Sequence, residues 1–458
     1  MAVAVGAATQ ARCGRRAFAA SAEIFEHLQS FEEMSGHASW FDAGGHCRTC
    51  AQTCAAAAHI CAAAATQKTD GVDALTFFCC ADVLDGPWNH RHGSPFSSRF
   101  TLRKRVVRIV RGILLVVALA VTAAVGSVAW LLVSQSQPRS SEGWALGPPL
   151  PAPRGELATA VGYAQPCRSA SCPEAERLYV LGGLSGFFKP EKTVTIYDAN
   201  RKAWTNGPAL PEPRHHFAAA RLGDELYVTG GTDVAGSHLG HQYWPPRNNM
   251  WRLAPGGSEW QAMPAMIEPR WGHRMVAHDG KLYVVGGRGR TGHVLIYTPG
   301  KDWTLGAEMP RVRDHLSVVV ADGKLWAIGG RDPNSIARVD IYDPASDAWQ
   351  SGPDLPHPTS GAAEAMVDDV IYIFGGEEPD FLSGEVKDRH WKLDVRAARP
   401  HWEPALLPPL AVHGSNAAVL GDFIAIAGGA RRHGALSAIA WTDTLQLFKL
   451  PGRASALR

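Results

Sequence analysis

Arginine recurs at one fixed place in a repeating pattern along this chain. Arg154, Arg214, Arg270 and Arg313 each end a proline-rich turn, read as PAPR, PEPR, EPR and PRVR. A guanidinium is planar, keeps its charge and offers five donors. Four of them around one axis would clamp a carboxylate or a phosphate. Acids and imidazoles follow within a few residues: Glu156, His216, His273, Asp314, His315, Glu364 and His413, with Asn416 beside them. Arg288, Arg331 and Glu377 mark a second recurring place. A carboxylate and an imidazole beside one ring oxygen could shuttle a proton, so Glu364 with His273 or His315 is the candidate acid–base pair. The competing assignment makes the arginines braces, bonded to the backbone of neighbouring repeats, and the histidines satisfied structural groups. Tyr243 and Trp244 in the long segment Thr232–Arg247, and Phe381 in Glu377–Arg389, could stack on a sugar ring or a partner, or pack down on the scaffold.

The elements that must hold these residues are written in glycine pairs. Gly182-Gly183, Gly230-Gly231, Gly286-Gly287, Gly329-Gly330, Gly375-Gly376 and Gly428-Gly429 each close a short apolar run such as KLYVVGG or VIYIFGG. The steps between pairs are 48, 56, 43, 46 and 53 residues. One strand per period of that length is the signature of a β-propeller. After each pair comes a strand with an aromatic (Tyr197, Trp251, Tyr297, Tyr342, Trp391). A second strand then carries tryptophan: Trp204, Trp260, Trp303, Trp349 and Trp402. These rings are expected to fill the wedges between blades. The last pair is followed by one strand, TLQLFKL, with no tryptophan strand after it; Trp144 at the front supplies the missing element. That strand is expected to complete the last blade and leave no open sheet edge. The turn from blade to blade and the segment after each glycine pair share one rim. Tight hairpins such as HDGKL and ADGKL occupy the other.

This pattern resembles the kelch repeat, on the glycine pairs, aromatics, tryptophans and proline turns just quoted. The resemblance covers roughly 142–450 and implies an all-β, six-bladed kelch β-propeller. It marks a fold rather than one function, because kelch propellers include enzymes, sugar binders and protein-binding adaptors. Exported bacterial kelch proteins include the N-acetylneuraminate epimerase (mutarotase) family. The chain is similar to that family in blade number, in arginine-rich entering strands and in exported topology. That resemblance implies a sugar carboxylate held by Arg214, Arg270 and Arg313, with Glu364 and His273 or His315 moving the proton. Kelch-type copper oxidases need a cysteine linked to a tyrosine inside the propeller, which the cysteine positions here argue against.

Outside the repeats, Gly112–Val133 is a run of 22 residues without a charge, long enough to cross a bilayer core. Arg103, Lys104, Arg105, Arg108 and Arg111 precede it and only Arg139 follows closely. The positive-inside rule then leaves the N-terminus cytoplasmic and the propeller extracytoplasmic, in a periplasmic setting. A cleaved signal ending at Ser127-Val128-Ala129 is the competing reading. The chain divides into an Ala/Cys-rich extension (1–101), a basic flank with the apolar anchor (102–133), a linker (134–141), the propeller (142–450) and a tail (451–458). Of nine cysteines, Cys167 and Cys172 flank an insertion in blade 1 and are read as a small disulfide. Cys47, Cys50, Cys54 and Cys61 fall along one helical face. They resemble part of the cysteine-rich four-helix copper proteins, which would imply a soft-metal site. Three readings stay open for the extension: translation starting further on near Leu102, Val106 or Val107, a cytoplasmic tail without fixed structure, or that metal module.

The net charge of +2 gives no field for nucleic acid. There is no HExxH, GxSxG or phosphate-loop sequence. No cofactor is expected, and no metal within the propeller. The reading that results is a membrane-anchored extracytoplasmic propeller that binds a carbohydrate or protein partner on its loop-rich rim. The alternative is a sugar mutarotase or epimerase.

Overall fold

The computed structural model describes residues 96–134, 138–167, 175–234, 244–378, 386 and 388–451. The cysteines before residue 96, together with Cys172, Tyr243 and Phe381, lie outside the described residues. Two units divide the chain, Met1–Arg105 and Val106–Arg458. A helix, α1, spans Phe96–Ser134. Its stretch Ile109–Val128 is long and apolar enough to cross a membrane, and its apolar side chains are exposed.

From Trp144 onward the chain forms six four-stranded antiparallel sheets. The innermost strands are Ala158–Tyr163, Ala218–Leu222, Arg274–His278, Ser317–Ala321, Ala363–Val367 and Ala417–Leu420. Each touches the inner strands of both neighbouring sheets, and the first touches the last, so the six blades form a closed ring. The last blade is built from both ends, as expected. Trp144–Leu146 pairs with Leu445–Lys449, with Trp144 opposite Phe448. The Trp144 ring lies 5.1 Å from Phe374 and 5.1 Å from Phe448, which seats the closing strand against blades 5 and 6.

The core is not one mass. It is six wedges, each shared by two adjacent blades. Tyr197, Trp251, Tyr297 and Tyr342 are buried in them, as the repeat implied. The strand tryptophans do more than fill space. The indole N–H donates to a carbonyl in or just after the last strand of the preceding blade: Trp204 to Pro148, Trp260 to Pro208, Trp303 to Pro264, Trp349 to Ala307 and Trp402 to Pro353, at 2.8–3.2 Å.

The glycine pairs supply the inner staple. The second glycine's N–H donates to the carbonyl that opens the next blade: Gly183 to Arg214, Gly231 to Arg270, Gly287 to Arg313, Gly330 to Thr359, Gly376 to Val412 and Gly429 to Arg154. These six bonds close the ring. Both glycines of each pair have positive φ. A Cβ on Gly375 would stand 2.2 Å from the Val412 carbonyl oxygen, so only glycine lets the two backbones meet.

Gly375 and Gly323 share a positive φ but differ in space, since nothing lies within 4 Å of a Cβ on Gly323. In urea unfolding, Gly323→Ala should lose about 1–2 kcal/mol from backbone strain alone. Gly375→Ala should lose clearly more, because the Val412 bond goes with it. Equal losses would show that the staple adds nothing.

Candidate functional site

The staple fixes where each blade's entering residues point. The residue after the recurring arginine position forms a two-residue bridge with the residue after the glycine pair. The bridges are Gly155 with Leu184, His215 with Thr232, Trp271 with Arg288, Asp314 with Arg331, Ser360 with Glu377 and His413 with Ala430. One residue further on, Glu156, His216, Gly272, His315, Gly361 and Gly414 all have positive φ. Their peptides link blade to blade around the axis. His216 donates to Glu156, Gly272 to His216, His315 to Gly272, Gly361 to His315 and Gly414 to Gly361; Leu157 closes the circle on Gly414.

Two cavities lie inside this ring of strands. One of ≈ 460 Å³ is lined from all six inner strands and is the axial channel. One of ≈ 20 Å³ is lined by Glu156, His216, His315 and the three glycines of the peptide ring. Arg274 and Asn416 line both.

The arginines do not form an open positive mouth. Arg214, Arg270 and Arg313 are among the largest fully buried side chains, and Arg154 is 3% exposed. Arg313 donates to Gly329 O, Ala327 O and Asp340. Arg270 donates to Gly286 O, His293 O and Glu268. Arg154 donates to Val180 O and Thr195, and Arg214 to Glu212 and Asn249 over the Trp251 ring. Burial lowers all four, Arg154 to about 10. They are braces, and Arg154, Arg270 and Arg313 brace their own blade rather than its neighbour, reaching carbonyls at the second or third strand of the sheet they open. The equivalent positions in blades 5 and 6 are Thr359 and Val412, both buried.

Nor does the structure assemble the expected acid–base pair. His273 is wholly buried, shares a hydrogen bond with Thr229 Oγ1 and lines neither axial cavity. It occupies the place held elsewhere by Leu157, Phe217 and Leu316, and burial drops it to about 3. Glu364 faces the axial channel, ion-paired to Arg274 at 2.7 Å. Burial pushes it up against the pull of Arg274. His315 belongs to a third group. Its Nδ1 meets Asp314 Oδ1 at 2.5 Å, and its Nε2 faces Glu156.

That third group is the dense polar network of the rim. Arg331 reaches Asp314 at 3.1 Å and Glu377 at 2.8 Å. Arg288 reaches Asp314 at 2.5 Å and lies over Trp271. Burial alone would raise the Asp314 carboxyl. His315, Arg331 and Arg288 together hold it well below the usual carboxylate range. Trp244 is buried against His215, His216 and Trp271, so it is packing rather than an exposed stacking platform. Burial lowers His215 to about 4 and keeps it neutral. Cys167 is disulfide-bonded, and its expected partner Cys172 lies outside the described residues.

Sequence reasoning located Asp314, Arg288, Arg331 and Glu377 but not their pairing. The signal was present. In five blades the bridged residues are 17 apart: 215 and 232, 271 and 288, 314 and 331, 360 and 377, 413 and 430.

A kelch motif matches residues 313–356. Kelch-like protein terF of Aspergillus terreus is 29% identical over 244 residues, covering 47% of this chain and 50% of its own. Kelch-like protein 35 of Mus musculus is 27% identical over 295 residues, covering 52% and 48%. Beta-scruin of Limulus polyphemus is 30% identical over 201 residues, covering 41% and 22%. The chain belongs to the kelch-repeat β-propellers. This kelch chain spans about half or less of the length of those relatives.

The brace role of the kelch arginines has a measurable consequence. Arg270→Ala leaves Glu268 buried without its cation, and Arg313→Ala removes one of Asp340's two arginine partners. Each should lose about 3–5 kcal/mol in urea melts, the range for breaking a buried pair. Arg290→Ala, at an exposed position, should stay within about 0.5 kcal/mol. Losses below about 1 kcal/mol at Arg270 and Arg313 would return them to a ligand-facing role.

Proposed function

We propose that this propeller is a protein-binding module that presents its loop-rich rim while α1 holds it at a membrane. Kelch propellers are in general protein-interaction modules, and one observation here supports that use. Nine large apolar side chains are exposed among the described propeller residues. Seven of them, Phe187, Val234, Ile267, Val312, Leu406, Leu407 and Ile439, lie in the loops of one rim. Apolar exposure gathered on one face, rather than scattered, marks an interaction surface. Phe187 is 82% exposed at the tip of the hairpin that joins strands two and three of blade 1. Its neighbour Phe188 is anchored beneath it against Trp441 of blade 6. An exposed aromatic on a pinned base is the arrangement expected of a binding hot spot.

The mutarotase reading is not favoured. It needs a cation for a sugar carboxylate and a proton-transfer pair. The four arginines are consumed inside their blades, and Glu364, His273 and His315 sit in three separate environments.

Membrane attachment rests on Ile109–Val128, whose 20 residues span about 30 Å as a helix. The basic cluster from Arg103 to Arg111 would keep the N-terminal side in the cytoplasm and place the propeller across the bilayer. Protease added to spheroplasts, with the outer membrane opened, should digest the propeller and spare an epitope tag placed before Arg103. Protection of the propeller would reverse the topology. For the rim, photo-crosslinkers placed at Phe187 and Ile439 should capture a common protein. Phe187→Asp with Ile439→Asp should weaken its binding at least about tenfold while leaving the melting temperature unchanged. Loss of binding from substitutions in the opposite-rim hairpins, such as Asp279→Lys, and none from the rim pair would overturn the proposal.

A further inference from the structure

We propose that Glu156, His216 and His315 form a binding site for one divalent transition-metal ion of the zinc class, on the propeller axis. Their donor atoms all lie within 4.8 Å of one another. Glu156 Oε2 is 3.3 Å from His216 Nε2 and 4.0 Å from His315 Nε2. Ligands on a tetrahedral zinc with bonds near 2.0–2.1 Å stand about 3.3 Å apart. Of the three pairs, Glu156–His216 already has that spacing, Glu156–His315 needs to close by less than about 1 Å, and the two histidines, within 4.8 Å of each other, by no more than about 1.5 Å. Two histidines and a carboxylate are a set that zinc and its neighbours accept.

The hydrogen bonds behind the two imidazoles turn the correct nitrogens inward. His215 Nε2 donates to Val234 O, which leaves its Nδ1 as an acceptor for His216 Nδ1–H at 2.6 Å. His216 Nε2 is then the unprotonated nitrogen, 3.3 Å from Glu156 Oε2. Asp314 accepts from His315 Nδ1, so His315 Nε2 carries no proton, and it faces the same carboxylate with Arg331 beside it. A carboxylate behind a histidine is the usual support of a metal ligand. His413 repeats the arrangement. Its Nε2 donates to Arg432 O, and its buried Nδ1 has no hydrogen-bond partner. That Nδ1 faces Glu156 at 3.5 Å and Glu377 at 3.6 Å. Lone pairs turned on carboxylates call for a cation between them, or for protons on the rings.

The backbone is shaped around the same three residues. All six ring positions have positive φ, a conformation that favours glycine, and three are glycine. The other three are Glu156, His216 and His315, held in strain that marks functional positions. The glycines open the space they need: a Cβ on Gly414 would stand 2.6 Å from Glu156 Oε1, and one on Gly272 would stand 3.2 Å from His315 Nδ1. The ≈ 20 Å³ between them holds one ion or one water.

Charge permits the ion. Asp314 and Glu377 pair with Arg288 and Arg331, and Glu156 adds one further negative charge beside Arg331. Arg331 Nη2 is 2.8 Å and 3.0 Å from the two nitrogens of His315. A point so nearly equidistant from both lies over the ring, not along the in-plane lone pair of Nε2. The donors come from blades 1, 2 and 4, so a bound ion would tie three blades at the axis.

The test uses the full chain in detergent with Cys47, Cys50, Cys54 and Cys61 replaced by Ser, so that no N-terminal thiolate of that cluster competes. After chelator treatment and dialysis, Zn(II) alone should bind at one equivalent and raise the melting temperature. Co(II) should give the visible absorption of a tetrahedral site. Glu156→Gln, His216→Gln and His315→Gln should each abolish the cobalt spectrum and the zinc-dependent shift. Asp314→Asn, a positioning change, should weaken binding about 10–100-fold. His278→Gln, on the opposite rim, is the control and should match the parent. Circular dichroism checks that each variant folds. If a variant does not fold, zinc stoichiometry and the cobalt spectrum of the parent decide alone. A parent without stoichiometric metal, or folded Glu156→Gln and His315→Gln variants that keep it, would overturn the proposal and leave a histidine–carboxylate hydrogen-bond network only.

Discussion

Everything in this propeller depends on one backbone hydrogen bond repeated six times, from the second glycine of each pair to the carbonyl opening the next blade. It sets the distance between adjacent blades near the axis, where no side chain fits between the two backbones. The wedge residues, the strand tryptophans and the peptide ring around the channel all take their places from that spacing. A sheet edge needs a partner, and here partners are found by circling back to the start. The bond from Gly429 to Arg154 therefore has the same form as the other five, although it joins residues 275 apart in sequence.

The fold was legible because this staple constrains sequence directly. A positive φ beside a neighbouring carbonyl admits glycine and little else, so the pairs survive as a readable signal. The tryptophans were legible for a similar reason: an indole must fill a wedge and donate to a carbonyl 39–56 residues earlier in the chain. Trp144 could be placed in the last blade because one blade lacked its fourth strand.

The site was less legible. Arginine at a recurring position carries the same letter whether it clamps a ligand or braces a sheet. Burial separates the two, and burial depends on Asp340 and on carbonyls that no local pattern names. His273 and His315 looked alike in sequence, each beside an arginine-ended turn. They differ by one place in the repeat, which puts one ring in a core wedge and the other on the axis. The convergence of Glu156, His216 and His315 was invisible for a further reason. They lie 60 and 99 residues apart, and the αL backbone that aims them is written only as three glycines at the equivalent places in other blades.

The closing strand also gives the ring a weak point under load. Trp144–Leu146 is held to Leu445–Lys449 by three residue pairs, and it follows the end of α1 by ten residues of chain. Tension transmitted from the helix side arrives first at Arg139 and Ser141, which tie the linker to Asp388, Pro408, Pro409 and Leu407, and then at this clasp. A pull on the anchor therefore loads the linker's ties to blades 5 and 6 and the closing strand of blade 6 before it reaches blades 1–4.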